Sequence, residues 1–125
     1  MTSSAKEALL QLAAECERVV APSREIDASI HAALGGDQRR RALATLGPFG
    51  PSYTSSLDAA MTLVPEGWDG ALYLATDTHK PSVQLETPAM RSAFSMDYEG
   101  VNGTAETLAL ALCAAALRAQ SESRP

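Results

Sequence analysis

Five carboxylates recur through the middle of the chain with an alternation typical of one exposed face of a β-sheet. They are Asp69, Asp77, Glu86, Asp97 and Glu99. Carboxylates that converge in a pocket can hold a metal ion or act as the acid and base of a glycosidase, but the D-x-D-x-D-G spacing of a calcium loop is absent. The pattern therefore favours a solvated sheet face, which can also serve as an acidic docking surface. Together with Tyr73, these carboxylates are the predicted protein-binding residues.

The GVNGT segment at residues 100–104 is the sharpest local candidate for an anion site. It lies between a predicted strand and a predicted helix, where backbone N–H groups can hold a phosphate. It matches neither the dinucleotide fingerprint nor a P-loop, and no lysine follows it. Glu106 in the first helical turn would oppose an anion. We therefore predict a plain turn, with Thr104 as the cap of the last helix.

The histidines and cysteines form no recognisable catalytic or zinc-binding motif. His79 is close to Asp77 in a predicted hairpin loop, but the chain has no G-x-S-x-G elbow to supply a nucleophile. His31 is predicted to be solvated or at the edge of the core. Cys16 and Cys113 each lie in an Ala/Leu-rich helical stretch, which predicts buried thiols. We expect no catalytic residue, no cofactor and no metal.

The charge of the chain is −5, and its excess of acid is concentrated in the middle. Residues 53–106 contain eight acidic side chains and two basic ones. The only basic cluster, Arg39 to Arg41, has no neighbouring aromatic residue except Phe49, so it is a weak nucleic-acid footprint. We expect another protein as the partner, and neither a nucleic acid nor a membrane.

Hydrophobic periodicity predicts helices first and strands later. Helical spacing covers residues 9–20, 26–34, 57–64 and 108–117, with a short additional helix near 39–46, and alternation covers residues 68–74, 83–85 and 94–98. The short links between the strands predict antiparallel neighbours. The order α-α-(α)-α-β-β-β-α predicts an α+β fold, in which a three-stranded antiparallel sheet packs with its apolar face against helices. The last helix is apolar on most sides and is predicted to be the most buried.

One domain is expected over residues 1–119, followed by a flexible tail at residues 120–125. No apolar run approaches the length needed to cross a bilayer, and the first residues lack the pattern of a signal peptide. These features predict a cytoplasmic location.

Three stretches carry a resemblance to a known family. They are LLQLAAECERVVAPSREID (residues 9–27), YTSSLDAAMTLVPEG (residues 53–67) and LALALCAAALRA (residues 108–119). Together they cover a little over a third of the chain and resemble the phage ABA sandwich family, small proteins of tailed phages and prophages without an assigned activity. The resemblance implies a phage or prophage origin and an α/β sandwich, and it implies no catalytic residues. The family name implies helices on both sides of the sheet, whereas the strand alternation predicts one solvated face.

Three functions agree with these features. The first is a phage accessory protein that binds a host factor or a phage component through its acidic face. A sharper version is an anti-CRISPR-like inhibitor, whose spaced carboxylates enter the Lys/Arg-lined groove of a nucleic-acid-binding defence complex. The second is a small virion assembly component, a homo-oligomer that pairs through an exposed edge strand, for example residues 82–87. The third, an enzyme, is the least favoured.

Overall fold

Seven helices and strands lie in the described part of the computed structural model, which comprises residues 3–33, 52–87 and 100–123. The helices are α1 (Ser3–Arg18), α2 (Arg24–Ala33), α3 (Leu57–Met61) and α4 (Leu108–Ser123). The strands are β1 (Asp69–Tyr73), β2 (Ser82–Glu86) and β3 (Val101–Thr104). This arrangement confirms the predicted α+β class and the three-stranded antiparallel sheet. The additional helix predicted near residues 39–46 lies outside the described residues.

The sheet has the order β1-β2-β3, so β2 is its central strand. The hypothesis that residues 82–87 form an exposed edge is therefore wrong. The predicted turn at residues 100–103 is also wrong, because Val101 to Thr104 run antiparallel to β2 as the third strand. Only Gly100, with φ of +61°, has turn geometry there. The strand predicted at residues 94–98 lies outside the described residues.

Helix α4 is the centre of the fold, as its composition predicted. It contacts β2 and β3 on one side and α1 and α3 on the other, and every residue from Leu110 to Leu117 is buried. Its alanines allow a close approach to the sheet at Gly103. A Cβ atom on Gly103 would collide with the carbonyl oxygen of Ala111 and lie 2.7 Å from the backbone nitrogen of Ala115. The close contact between β3 and α4 therefore requires glycine at position 103 and is favoured by small alanine side chains in the helix.

The last helix extends beyond the predicted end of the domain. The tail expected from residue 120 is wrong for residues 120–123, because α4 continues to Ser123. Gln120 is only 5% exposed, and its Nε2 donates a hydrogen bond of 2.8 Å to the carbonyl oxygen of Leu63. A buried amide needs such a partner, so the end of α4 is fixed to the segment that follows α3.

A buried carboxylate connects α2 to the segment before α3. Asp27 Oδ1 accepts hydrogen bonds from the backbone N–H of Thr54 at 2.8 Å and from the Thr54 hydroxyl at 2.9 Å. Asp27 Oδ2 accepts from Arg24 Nη1 at 3.1 Å. The Thr54 hydroxyl oxygen also accepts from the N–H of Ser23, whose own hydroxyl caps α2 by accepting from the N–H of Ile26. These donors satisfy a carboxylate that would otherwise be costly to bury.

Candidate protein-binding face of the sheet

Strand register divides the sheet into an inner and an outer face. Val83 and Leu85 of β2 are buried at 1% and 5% exposure and point towards α4, so the residues that alternate with them point away. Residues directly opposite in antiparallel strands share a face, which places their partners in β1 and β3 on that same outer side. We define the outer face as Asp69, Ala71, Tyr73, Ser82, Gln84, Glu86, Asn102 and Thr104.

The outer face is open and shallowly concave. Two adjacent depressions cover it, and Tyr73 and Gln84 line both of them. One depression reaches Asn102 and Thr104, and the other reaches Asp69 and Glu86. Tyr73 is 51% exposed, so about half of its surface is accessible to a partner. A tyrosine offers a large apolar surface and a hydroxyl at low entropic cost, which suits contact with another protein.

One end of the outer face carries two carboxylates. Asp69 of β1 lies directly opposite Glu86 of β2, so two carboxylates project from neighbouring positions on the same side. Beyond the other end of β2 and β3, Lys80 Nζ lies 2.9 Å from Glu106 Oε1 and neutralises it. The two carboxylates of the face therefore lie at the end opposite to this ion pair.

The structure unites only part of the predicted binding set. Asp69, Tyr73 and Glu86 share the outer face. Asp77 is exposed in the loop that joins β1 to β2, beyond the end of the face opposite to Asp69. Sequence alternation alone could not show this separation, because the loop reverses the chain. Asp97 and Glu99 lie outside the described residues.

Two outer-face residues of β3 were missed by sequence reasoning. Asn102 lies opposite Gln84, and Thr104 lies opposite Ser82. They were not predicted as strand residues because the glycines of GVNGT favour a turn. The β-branched Val101 and Thr104 were the available signal, since such residues are enriched in strands.

In the GVNGT segment, side chains of α1 and α4 contact the backbone of Asn102 and Thr104. The N–H of Thr104 donates to Glu17 Oε2 at 3.0 Å, and Arg118 Nη1 donates to the carbonyl oxygen of Asn102 at 2.8 Å. Arg118 also binds both carboxylate oxygens of Glu17, at 2.6 and 2.8 Å. Helix α4 begins later and is capped by the Thr107 hydroxyl, so the prediction of Thr104 as its cap is wrong.

The Glu17–Arg118 pair holds α1, α4 and β3 together. Hydrogen bonding from Arg118, and then from the N–H of Thr104, lowers the pKa of Glu17 against the opposing effect of burial. The hydrogen bond to Glu17 likewise raises the pKa of Arg118. Both groups therefore remain charged at neutral pH, and their role in this geometry is structural.

The cysteines lie in the core, as predicted. Cys16 and Cys113 have no exposed surface, and Cys113 Sγ donates a hydrogen bond of 3.1 Å to the carbonyl oxygen of Tyr53. Hydrogen bonding with Cys16, together with burial, raises the pKa of the Cys113 thiol. A protonated, buried thiol is a poor nucleophile.

The histidines lie apart in the fold. His79 is exposed in the β1–β2 loop, where its carbonyl oxygen accepts from the N–H of Thr76 at 2.9 Å. His31 is half-buried on α2, with Nδ1 3.4 Å from the hydroxyl of Tyr53. Across residues 3–33, 52–87 and 100–123, no three His, Cys, Asp or Glu side chains are grouped to hold a metal ion.

Comparisons with known proteins found no relative of this chain. Family models, curated proteins and solved structures gave no match to this chain. Within the part of the chain that the structure describes, every helix is too short or too polar to span a bilayer.

Proposed function

We propose that this chain is a phage or prophage accessory protein that acts by binding another protein, without catalysis. The outer face of the sheet is the binding surface, and its concave, partly acidic form around Tyr73 is the observation that carries the proposal. The phage origin rests on the resemblance of residues 9–27, 53–67 and 108–119 to the phage ABA sandwich family.

The position of those three stretches supports separate roles for the helices and the sheet. Their side chains meet in the core, where Cys113 contacts Cys16 and Tyr53, and where Asp27 holds Thr54. Such residues determine how the helices pack. The sheet, by contrast, lies outside the three stretches, and its outer face points away from the helices. Binding specificity is therefore best assigned to the sheet.

The chemistry of the face indicates its partner. The carboxylates of Asp69 and Glu86 suit a surface with lysine or arginine, and the rest of the face offers polar groups from Gln84, Asn102 and Thr104. A basic groove of a nucleic-acid-binding protein has this cationic character. The anti-CRISPR-like inhibitor is accordingly the second candidate function, and the opposed Asp69–Glu86 pair is what favours it.

Site-specific crosslinking tests the face directly. A photoreactive benzoyl-phenylalanine in place of Tyr73 should capture a partner in infected cells. The same residue in place of Val20, which is 81% exposed and lies between α1 and α2, is the matched control and should not capture it. Equal capture at both positions would contradict the assignment of the outer face.

Charge reversal then tests the electrostatic part with the captured protein. Asp69→Lys with Glu86→Lys should weaken binding by roughly 10-fold or more and reduce its salt dependence. Glu7→Lys with Glu122→Lys changes the net charge equally at two exposed helical positions and is the control. If both double variants lose affinity equally, net charge alone governs binding and the proposed face is wrong.

A further inference from the structure

Strand β1 is an open edge of the described sheet. Among the described residues it pairs with β2 on one side only, and all five of its residues are exposed. Helix α4 covers β2 and β3 much more than β1, which leaves the inner side of β1 accessible as well. An edge strand presents a row of backbone donors and acceptors that another strand can pair with.

The side chains of this edge lack the usual protection against pairing. Residues 70–76, with sequence GALYLAT, contain no charge and no proline. The β1–β2 register runs without a bulge from Asp69 to Tyr73. Leu72, Tyr73 and Leu74 are 43%, 51% and 74% exposed, and they form a continuous run of large hydrophobic residues. Natural edges are normally blunted by lysine, proline or a bulge, so an unprotected apolar edge indicates an interface.

We propose that β1 pairs antiparallel with β1 of a second copy of this chain, which joins two three-stranded sheets into one. The pairing is centred on Leu72, so that Leu72 lies opposite its own copy. Gly70 then lies opposite Leu74 of the second copy, and Ala71 lies opposite Tyr73. Each large side chain meets a small one or its own symmetry mate, which is the self-complementarity that a two-fold interface requires.

Charge placement also favours a second copy in this register. Asp69 falls opposite Ala75 of the second copy, so no two acidic side chains are opposed across the new interface. The two Asp69 residues lie six positions apart along the paired strands, about 20 Å at the usual rise per residue. That distance exceeds the screening length of about 8 Å at physiological salt. A parallel arrangement would instead place Asp69 beside Asp69, which like-charge repulsion opposes.

The dimer would extend the outer face without depending on the function proposed for it. Strand pairing keeps Tyr73 of both copies on the same side of the joined sheet, so two outer faces become one surface. The buried area is limited to one strand and its leucines, so the interface belongs to the small, weak class. We therefore expect a reversible monomer–dimer equilibrium that depends on concentration.

Sedimentation velocity over a concentration series tests the pairing. The unmodified chain should shift from monomer to dimer as concentration rises. Leu72→Lys places two lysines opposite each other at the two-fold axis and should raise the dissociation constant by at least about 10-fold. Met61→Lys changes another large hydrophobic residue, 53% exposed on α3, and should leave the equilibrium unchanged. A chain that stays monomeric up to about 1 mM overturns the proposal.

Disulfide trapping tests the register with variants that keep the edge apolar. Leu72→Cys should form a covalent dimer under mild oxidation, because the two thiols face each other at cross-strand distance. Leu74→Cys should not, because its counterpart is Gly70. The native Cys16 and Cys113 are fully buried and do not compete. Equal trapping of both variants, or trapping of neither, contradicts pairing centred on Leu72.

The two proposals can fail separately. Asp69→Lys with Glu86→Lys should weaken partner binding while the dimer persists, because neither residue faces an acid across the β1 interface. Leu72→Lys should weaken the dimer while a monomer keeps one intact outer face. If Leu72→Lys instead removes partner binding from a chain that is monomeric throughout, the edge belongs to that partner and self-pairing is wrong.

Discussion

The region around Asp27 and strand β1 differ in whether their polar groups are buried and hydrogen-bonded within the chain or exposed to solvent. Around Asp27, the carboxylate, the N–H and hydroxyl of Thr54 and the N–H of Ser23 all have hydrogen-bond partners within the chain. At β1, backbone groups and three large hydrophobic side chains face solvent. A satisfied interior stabilises one fold, whereas an open surface is where new contacts can form. We infer that stability is concentrated in the first region and recognition in the second.

Removal of the buried carboxylate should have the largest effect on stability. Asp27→Ala leaves the N–H of Thr54 buried without its acceptor and deprives Arg24 of its ion pair. We expect a loss of about 3 kcal/mol in the free energy of unfolding, measured by urea denaturation. Asp58→Ala, at an exposed position of α3, is the control and should cost much less. A similar loss in both variants would refute the special role of the Asp27 network.

A methyl group at the junction between helix and sheet should have the next largest effect. Gly103→Ala drives a Cβ atom into the backbone of α4 at Ala111 and Ala115, so the two must separate. We expect a destabilisation of about 2 kcal/mol, typical of overpacking a core. Asn102→Ala on the exposed side of the same strand should change stability by less than about 0.5 kcal/mol. Thermal unfolding of both variants makes the comparison.

The Glu17–Arg118 pair should give a smaller and pH-dependent effect. The pKa of Glu17 is lowered below its ordinary 4.5 in the folded protein, so its contribution is present above that value and is lost as pH falls through the folded pKa. Since the pair is partly solvated, we expect Glu17→Gln to cost only about 1 kcal/mol at pH 7. The difference between variant and wild type should shrink as the pH falls below 4.5. A difference that is constant with pH would refute the charged pair.

Local patterns predicted the elements better than they predicted the partners of those elements. The 3.6-residue periodicity identified α1, α2 and α4, and the alternation at Val83 and Leu85 identified β2 with its buried side. The third strand was missed because two glycines in GVNGT resemble a turn, and only the packing of α4 against Gly103 shows why glycine is needed in a strand. That requirement is tertiary, and no short window of sequence contains it.

The candidate site divides in the same way. Asp69, Tyr73 and Glu86 were placed on one face because a two-residue period fixes the side of a strand. The separation of Asp77 from Asp69 depends on the direction in which the loop carries the chain, and the position of β2 as the central strand depends on which strands pair. Both are properties of topology, so they required the structure.

The outer face should show the smallest effect on stability and a clear effect on binding. Tyr73→Ala removes an exposed ring from an edge strand, so its cost to the free energy of unfolding should stay below about 1 kcal/mol. If Tyr73 is the anchor of the binding surface, the same change should weaken partner binding by roughly 10-fold or more, measured by titration calorimetry. Tyr73→Phe keeps the ring and separates the contribution of the hydroxyl. A Tyr73→Ala variant that binds normally would remove the anchor from the outer face and leave its acidic end as the only basis for recognition.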